Sequence, residues 1–86
     1  MEVKKITDKQ IATINKMKGL IEIQGHNELD EIDINSLSRY DASKIISGLI
    51  VISTNNRLIA LGHKANDSIF LGALDDVFDT IEKYKK

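Results

Sequence analysis

The stretch Leu37-Ser38-Arg39-Tyr40-Asp41-Ala42-Ser43-Lys44-Ile45-Ile46-Ser47-Gly48-Leu49 restricts what this chain can become more than any other. Ser38 is a strong N-cap residue, and Asp41 three positions on can reach back to the exposed backbone N–H at the cap. Ala42, Ile45, Ile46 and Leu49 then recur on one helical face. An independently marked amphipathic segment lies ahead of this stretch and another behind it. A helix with one apolar stripe must bury it, and these two neighbours are the surfaces expected to do so.

With 86 residues the chain is expected to form one domain, and one core must serve all its elements. Hydrophobic residues at 42% and charged residues at 29% exclude a disordered class. The absence of Cys removes disulfides, thiolate metal sites and cysteine nucleophiles together, and fits a reducing compartment. No apolar stretch follows Met1-Glu2-Val3-Lys4-Lys5, which argues against a signal peptide. The longest apolar run, Leu49-Ile50-Val51-Ile52, is too short to span a bilayer, so no membrane association is expected.

Ile6-Thr7-Asp8-Lys9-Gln10-Ile11 carries the clearest local signal. Thr7 and Gln10 have capping-box spacing, and Ile6 and Ile11 occupy the hydrophobic-staple positions around it. A helix should start at Asp8, with Ile11, Ile14, Met17 and Ile21 on its inner face and Gly25 as its stop. A rival reading ends the helix at Gly19 and makes Leu20–Ile23 a strand. His26 to Asn35 reads as an acidic connection anchored by Leu29, Ile32 and Ile34. The second helix is expected to run to about Ser53, followed by a turn at Thr54-Asn55-Asn56 and a short piece at Leu58–Leu61. The β-branched run after Gly48 leaves a β-hairpin around 49–62 as the alternative. A third helix should start at Asn66-Asp67. Ile69, Phe70, Ala73, Leu74, Val77, Phe78, Ile81 and Tyr84 form its apolar stripe, Gly72 and Ala73 permit close approach, and Lys83, Lys85 and Lys86 sit at its C-terminal end. The fold class is therefore mainly α, a compact bundle of three or four helices, with α+β as the alternative.

Net charge is −1, but the charge is distributed in blocks. Lys4, Lys5, Lys9, Lys16 and Lys18 make the first segment basic. Glu28, Asp30, Glu31 and Asp33 make the connection acidic, and Asp75, Asp76, Asp79 and Glu82 do the same for the last helix. None of these blocks specifies a chemistry. His26 and His63 have no second histidine or cysteine at i+3 or i+4, so a metal or catalytic site would need carboxylates brought in by the fold. The five glycines are dispersed and form no phosphate loop, and Ser38, Ser43 and Ser47 lack a nucleophile context. No catalytic residue, cofactor or metal is expected.

Thr7-Asp8-Lys9-Gln10-Ile11, followed after a linker by Leu37-Ser38-Arg39-Tyr40-Asp41-Ala42-Ser43-Lys44-Ile45-Ile46, resembles a short helical module of phage and mobile-element replication and recombination proteins, with the pattern T-x-K-Q-I … L-T-K-x-E-A-S-x-L-I. The resemblance covers Thr7 to Leu49 and leaves Ile50 to Lys86 outside it. Together with the acidic middle and C-terminal segments and the lack of a catalytic set, the resemblance leads to the expectation of a non-enzymatic protein acting in a host cytoplasm through a protein partner, as an inhibitor or adaptor of nucleic-acid or host-defence machinery. The acidic Glu28, Asp30, Glu31 and Asp33 are the expected partner-binding residues. One alternative is an accessory DNA-binding module using Lys4, Lys5, Lys9, Lys16 and Lys18. The other is a homo-oligomer whose function is assembly.

Overall fold

The Thr7 box forms as its spacing predicts. The Gln10 backbone N–H donates to the Thr7 hydroxyl at 3.1 Å, and the Thr7 N–H donates to the Gln10 carbonyl oxygen Oε1 at 3.0 Å. Helix α1 starts there and covers Asp8–Met17. In the computed structural model, which describes residues 4–64 and 67–85, two further α-helices follow: α2 (Arg39–Ala60) and α3 (Asp67–Glu82). The protein is mainly helical, and the described residues contain no strand, only single β-bridges from Lys5 to Ser38 and from Ile23 to His26.

The first helix is shorter than expected. It stops at Met17 and tightens into a 3-10 turn over Lys18–Ile21, without the strand of the rival reading. Gly25 is not its stop. Gln24 (φ 52°) and Gly25 (φ 79°) are the left-handed pair at the centre of a tight turn, closed by reciprocal hydrogen bonds between Ile23 and His26 at 2.8 and 2.9 Å. The connection then folds into 3-10 turns at Glu28–Glu31 and Ile34–Ser36. Buried Asn27 holds it in place: its amide donates to the Lys18 carbonyl at 2.8 Å, and its side-chain oxygen accepts from the Leu29 N–H at 3.0 Å. Leu29 is fully buried, and Ile32 and Ile34 pack on the core as half-buried anchors.

The second helix corrects the expected boundary. Neither a turn at Thr54-Asn55-Asn56 nor a hairpin around 49–62 forms; α2 runs unbroken to Ala60. Two Asn residues disfavour an interior helix by at most about 0.7 kcal/mol each, too little to interrupt a stripe that continues through Ile52 to Ile59. Gly62 ends the helix instead. At φ 91° its N–H donates to Ile59 O and the His63 N–H to Leu58 O, the paired bonds of a Schellman cap. Ser38 caps the other end, accepting from the Asp41 N–H at 3.0 Å.

Helices α2 and α3 form an antiparallel hairpin. Ile45, Leu49 and Ile52 of α2 and Ala73, Val77 and Ile81 of α3 are buried in the core, with Ile14, Ile21, Leu29 and Leu37 from the earlier segments. The expected α3 stripe is therefore only partly a core. Phe70, Leu74, Phe78 and Tyr84 are half-buried, Ile69 is exposed, and Thr80, read as neither, is fully buried. The expected start at Asn66 and the final Lys86 lie outside the described residues. Helix α1 and the connection gather at the end of the hairpin where α2 begins and α3 finishes. Gln10 reaches Arg39 and Ser43, and Lys85 reaches Glu28 and Glu31. The molecule is accordingly elongated, 45 × 26 × 21 Å. No helix of the described residues is long and apolar enough to cross a membrane.

Candidate functional site

The charged residues expected to meet partners are largely engaged within the chain. The Lys85 ammonium bonds both Glu28 and Glu31, the latter at 2.9 Å, and joins the connection to the end of α3. This bond holds the Glu28 carboxyl below the usual carboxylate range and pushes the Lys85 ammonium upward. Asp30 pairs with Lys18 at 2.9 Å. Asp33 accepts from the Asn35 N–H at 3.0 Å and caps the following 3-10 turn. The structure thus brings Glu28 and Glu31 together and gives Asp30 and Asp33 separate structural roles. Among the basic residues, Lys4, Lys5, Lys9 and Lys16 are exposed, whereas Lys18 is drawn to Asp30. Lys9 and Lys16, seven residues apart, share one face of α1. Lys4 and Lys5 belong to the extended segment paired with Leu37–Arg39.

His26 does acquire carboxylates through the fold. Its Nε2 lies 3.5 Å from Glu28 Oε1 and 3.4 Å from Glu31 Oε1, and the three groups could hold a metal ion. The carboxylates already face a cation, since the Lys85 ammonium lies between Glu28 and Glu31. No helical spacing announces this cluster. The Gln24-Gly25 turn and the 3-10 turn after it bring positions 26, 28 and 31 together.

A second polar cluster lies where α2 begins. The Tyr84 hydroxyl donates to Asp41 Oδ2 at 2.5 Å and accepts from the Ser38 N–H at 3.2 Å, while Lys83 approaches Asp41 Oδ1 at 3.3 Å. The Tyr84 hydroxyl, with help from Lys83 and Ser38, holds the Asp41 carboxyl below its usual range despite burial, which acts the other way. Asp41 was expected to complete a capping box; its carboxylate instead anchors the end of α3.

A groove of about 480 Å³ lies between α2 and α3. Buried Gly48 and Ala73 form its bottom, and Ser43, Ser47, Ser68 and Gly72 keep its sides low. Exposed Tyr40 and Ile69 stand at its rim beside Val51, with Lys44 on the α2 side and Asp76 on the α3 side. The Lys44 ammonium lies 5.9 Å from the centre of the Tyr40 ring, so part of its charge is directed at the aromatic face. A Cβ placed on Gly72 would meet nothing within 4 Å, so that position faces open space in the groove. Such a surface admits the side-chain ridge of another helix at close range. None of the expected site residues lies here. Ser43, Ser47 and Val51, small or short residues at i, i+4 and i+8 beside the core stripe, are the signal by which the sequence could have revealed it. No family model, curated protein or solved structure matches the chain.

Proposed function

We propose that this chain is a non-catalytic interaction module of phage or mobile-element type that acts by binding an amphipathic helix of a protein partner. The groove between α2 and α3 carries the reading. Its small-residue bottom and apolar rim suit an inserted apolar ridge, and Lys44 and Asp76 offer a polar contact on each side. The engagement of Glu28, Glu31, Asp30 and Asp41 in intramolecular bonds supports the same choice, because those groups already serve the fold. An inhibitor or adaptor of nucleic-acid or host-defence machinery, in the host cytoplasm, is the role that the acidic segments, the lack of a catalytic set and the resemblance of Thr7–Leu49 favour together. Gly72→Leu tests it, since a Cβ there meets no neighbour within 4 Å and the rest of the side chain extends into the groove. A partner captured by the wild type should be released by Gly72→Leu with no loss of melting temperature, since helix propensity favours the variant. Undiminished capture by that variant would remove the groove from consideration.

The exposed Lys4, Lys5, Lys9 and Lys16 support a second reading, an accessory contact to nucleic acid. It requires labelled duplex or single-stranded DNA to bind with a steep dependence on salt, and Lys9→Gln with Lys16→Gln to flatten that dependence.

A further inference from the structure

The fold brings His26 the carboxylates that a metal site would need, and it sets their donor atoms at coordination spacing. His26 Nε2 lies 3.5 Å from Glu28 Oε1 and 3.4 Å from Glu31 Oε1, and all three atoms fall within 4.8 Å of one another. Zn–N and Zn–O bonds of about 2.0–2.2 Å put neighbouring ligand atoms of a tetrahedral site about 3.4 Å apart. Both separations from the imidazole match that edge.

The spacing is built from the chain upward. The Gln24-Gly25 turn, closed by the two bonds between Ile23 and His26, fixes the His26 backbone. Asn27 and Leu29 are buried at alternate positions, which leaves the side chains of His26 and Glu28 on the outer side. Glu31 follows Glu28 by three residues within one 3-10 turn, where side chains at i and i+3 eclipse. Lys85 then orients both carboxylates. Its ammonium bonds Oε2 of Glu28 and Oε2 of Glu31, so Oε1 is the oxygen that each turns to His26. Metal-ligating carboxylates are commonly held by such a second hydrogen bond. Lys85 compensates one of the two carboxylate charges and leaves the other for a cation. His26 and Glu31 are exposed and Glu28 is half-buried, so an ion can enter from solvent.

We propose that His26, Glu28 and Glu31 form a binding site for one Zn²⁺ ion, with water in the fourth position. An imidazole nitrogen beside two carboxylate oxygens suits zinc, whereas magnesium and calcium take oxygen ligands. The site lies on the connection, away from the groove at Tyr40, Gly48 and Gly72, so it does not rest on the proposed partner binding.

Calorimetric titration of the full chain with zinc chloride tests it. One ion should bind per chain. His26→Ala should raise the dissociation constant by more than about tenfold, since losing only the outer partner of a ligand costs about 10–100-fold. Glu31→Gln, which keeps the shape of the side chain, should weaken binding by a similar factor. Both residues are exposed, so far-UV circular dichroism of each variant should stay that of wild type. His63→Ala should bind as wild type does. In proton NMR spectra zinc should shift the ring signals of His26 and not those of His63, the other histidine of the chain. A wild type without saturable binding up to millimolar Zn²⁺ overturns the proposal. So does binding that survives His26→Ala or Glu31→Gln unchanged, which would place the ion on other groups such as Asp75, Asp76 and Asp79. Magnesium bound as tightly as zinc would overturn it too, because the imidazole would then have no part in the site.

Discussion

Single residues in this protein hold segments together that are distant in sequence. Gln10 completes the Thr7 cap through its oxygen and uses its amide nitrogen to reach Arg39 O at 3.2 Å and Ser43 Oγ at 3.1 Å. One side chain therefore ends one helix and positions the next. Tyr84 does the same for the other end of the chain. Tyr84→Phe removes the donor to a buried carboxylate and should cost about 1–3 kcal/mol. It should also change the acid response. Asp41 ionises below its ordinary value of 3.8 in the folded chain, so below that value the unfolded chain binds more protons. The stability that Asp41 contributes is present above that pH and is lost as pH falls through the lower, folded value. Urea midpoints measured from neutral pH down to about pH 3 should show wild type losing more of its advantage in that window than Tyr84→Phe. Parallel profiles for the two proteins would mean that the Tyr84 hydroxyl does not set the ionisation of Asp41.

At the scale of elements, the α2–α3 crossing depends on the absence of a side chain. A Cβ at Gly48 would collide with Val77 Cγ2 and lie 3.1 Å from Ala73 O. Val77 is fully buried and Ala73 O is backbone, so neither can retreat cheaply. Gly48→Ala should gain up to about 1 kcal/mol of helix propensity and lose about 1–3 kcal/mol to overpacking. A net loss is expected, read as a lower denaturation midpoint with unchanged helicity. A more stable Gly48→Ala would show that the helices do not cross there. The close approach was expected from Gly72 and Ala73. Ala73 does lie at the crossing, while Gly72 faces open space, because the two are about 100° apart around the helix.

Across the whole molecule, burial is graded along the long axis. The base combines α1, the connection and the start of the hairpin, and the distal half is two helices deep. Truncations should follow that gradient. Ile52→Ala, at a fully buried position, should cost about 2–5 kcal/mol. Phe78→Ala should cost less than the about 3–5 kcal/mol of a fully buried ring, since Phe78 is half-buried. Thermal denaturation of both variants at one low protein concentration measures the ordering. A larger loss for Phe78→Ala would mean that the ring is more deeply covered than a single chain allows.

Local chemistry was enough to determine the start of α1 at Thr7, the start of α2 at Ser38, and the helical, acidic and amphipathic character of α3. Caps and stripes are set by side chains within a few residues of one another, so they can be read from spacing. The core line through Ile45 and Leu49 was legible for the same reason. Tertiary structure decided the rest. Whether α2 crosses Asn55-Asn56 depended on packing and on the Gly62 cap, not on the weak local preference of two asparagines. Whether Ile59 is covered depended on how far α1 and the connection reach along the hairpin, a length that no periodicity encodes. The pairing of Lys85 with Glu28, and of Tyr84 with Asp41, joins residues more than forty positions apart. Only the fold brings them together, because it places the end of α3 beside the start of α2.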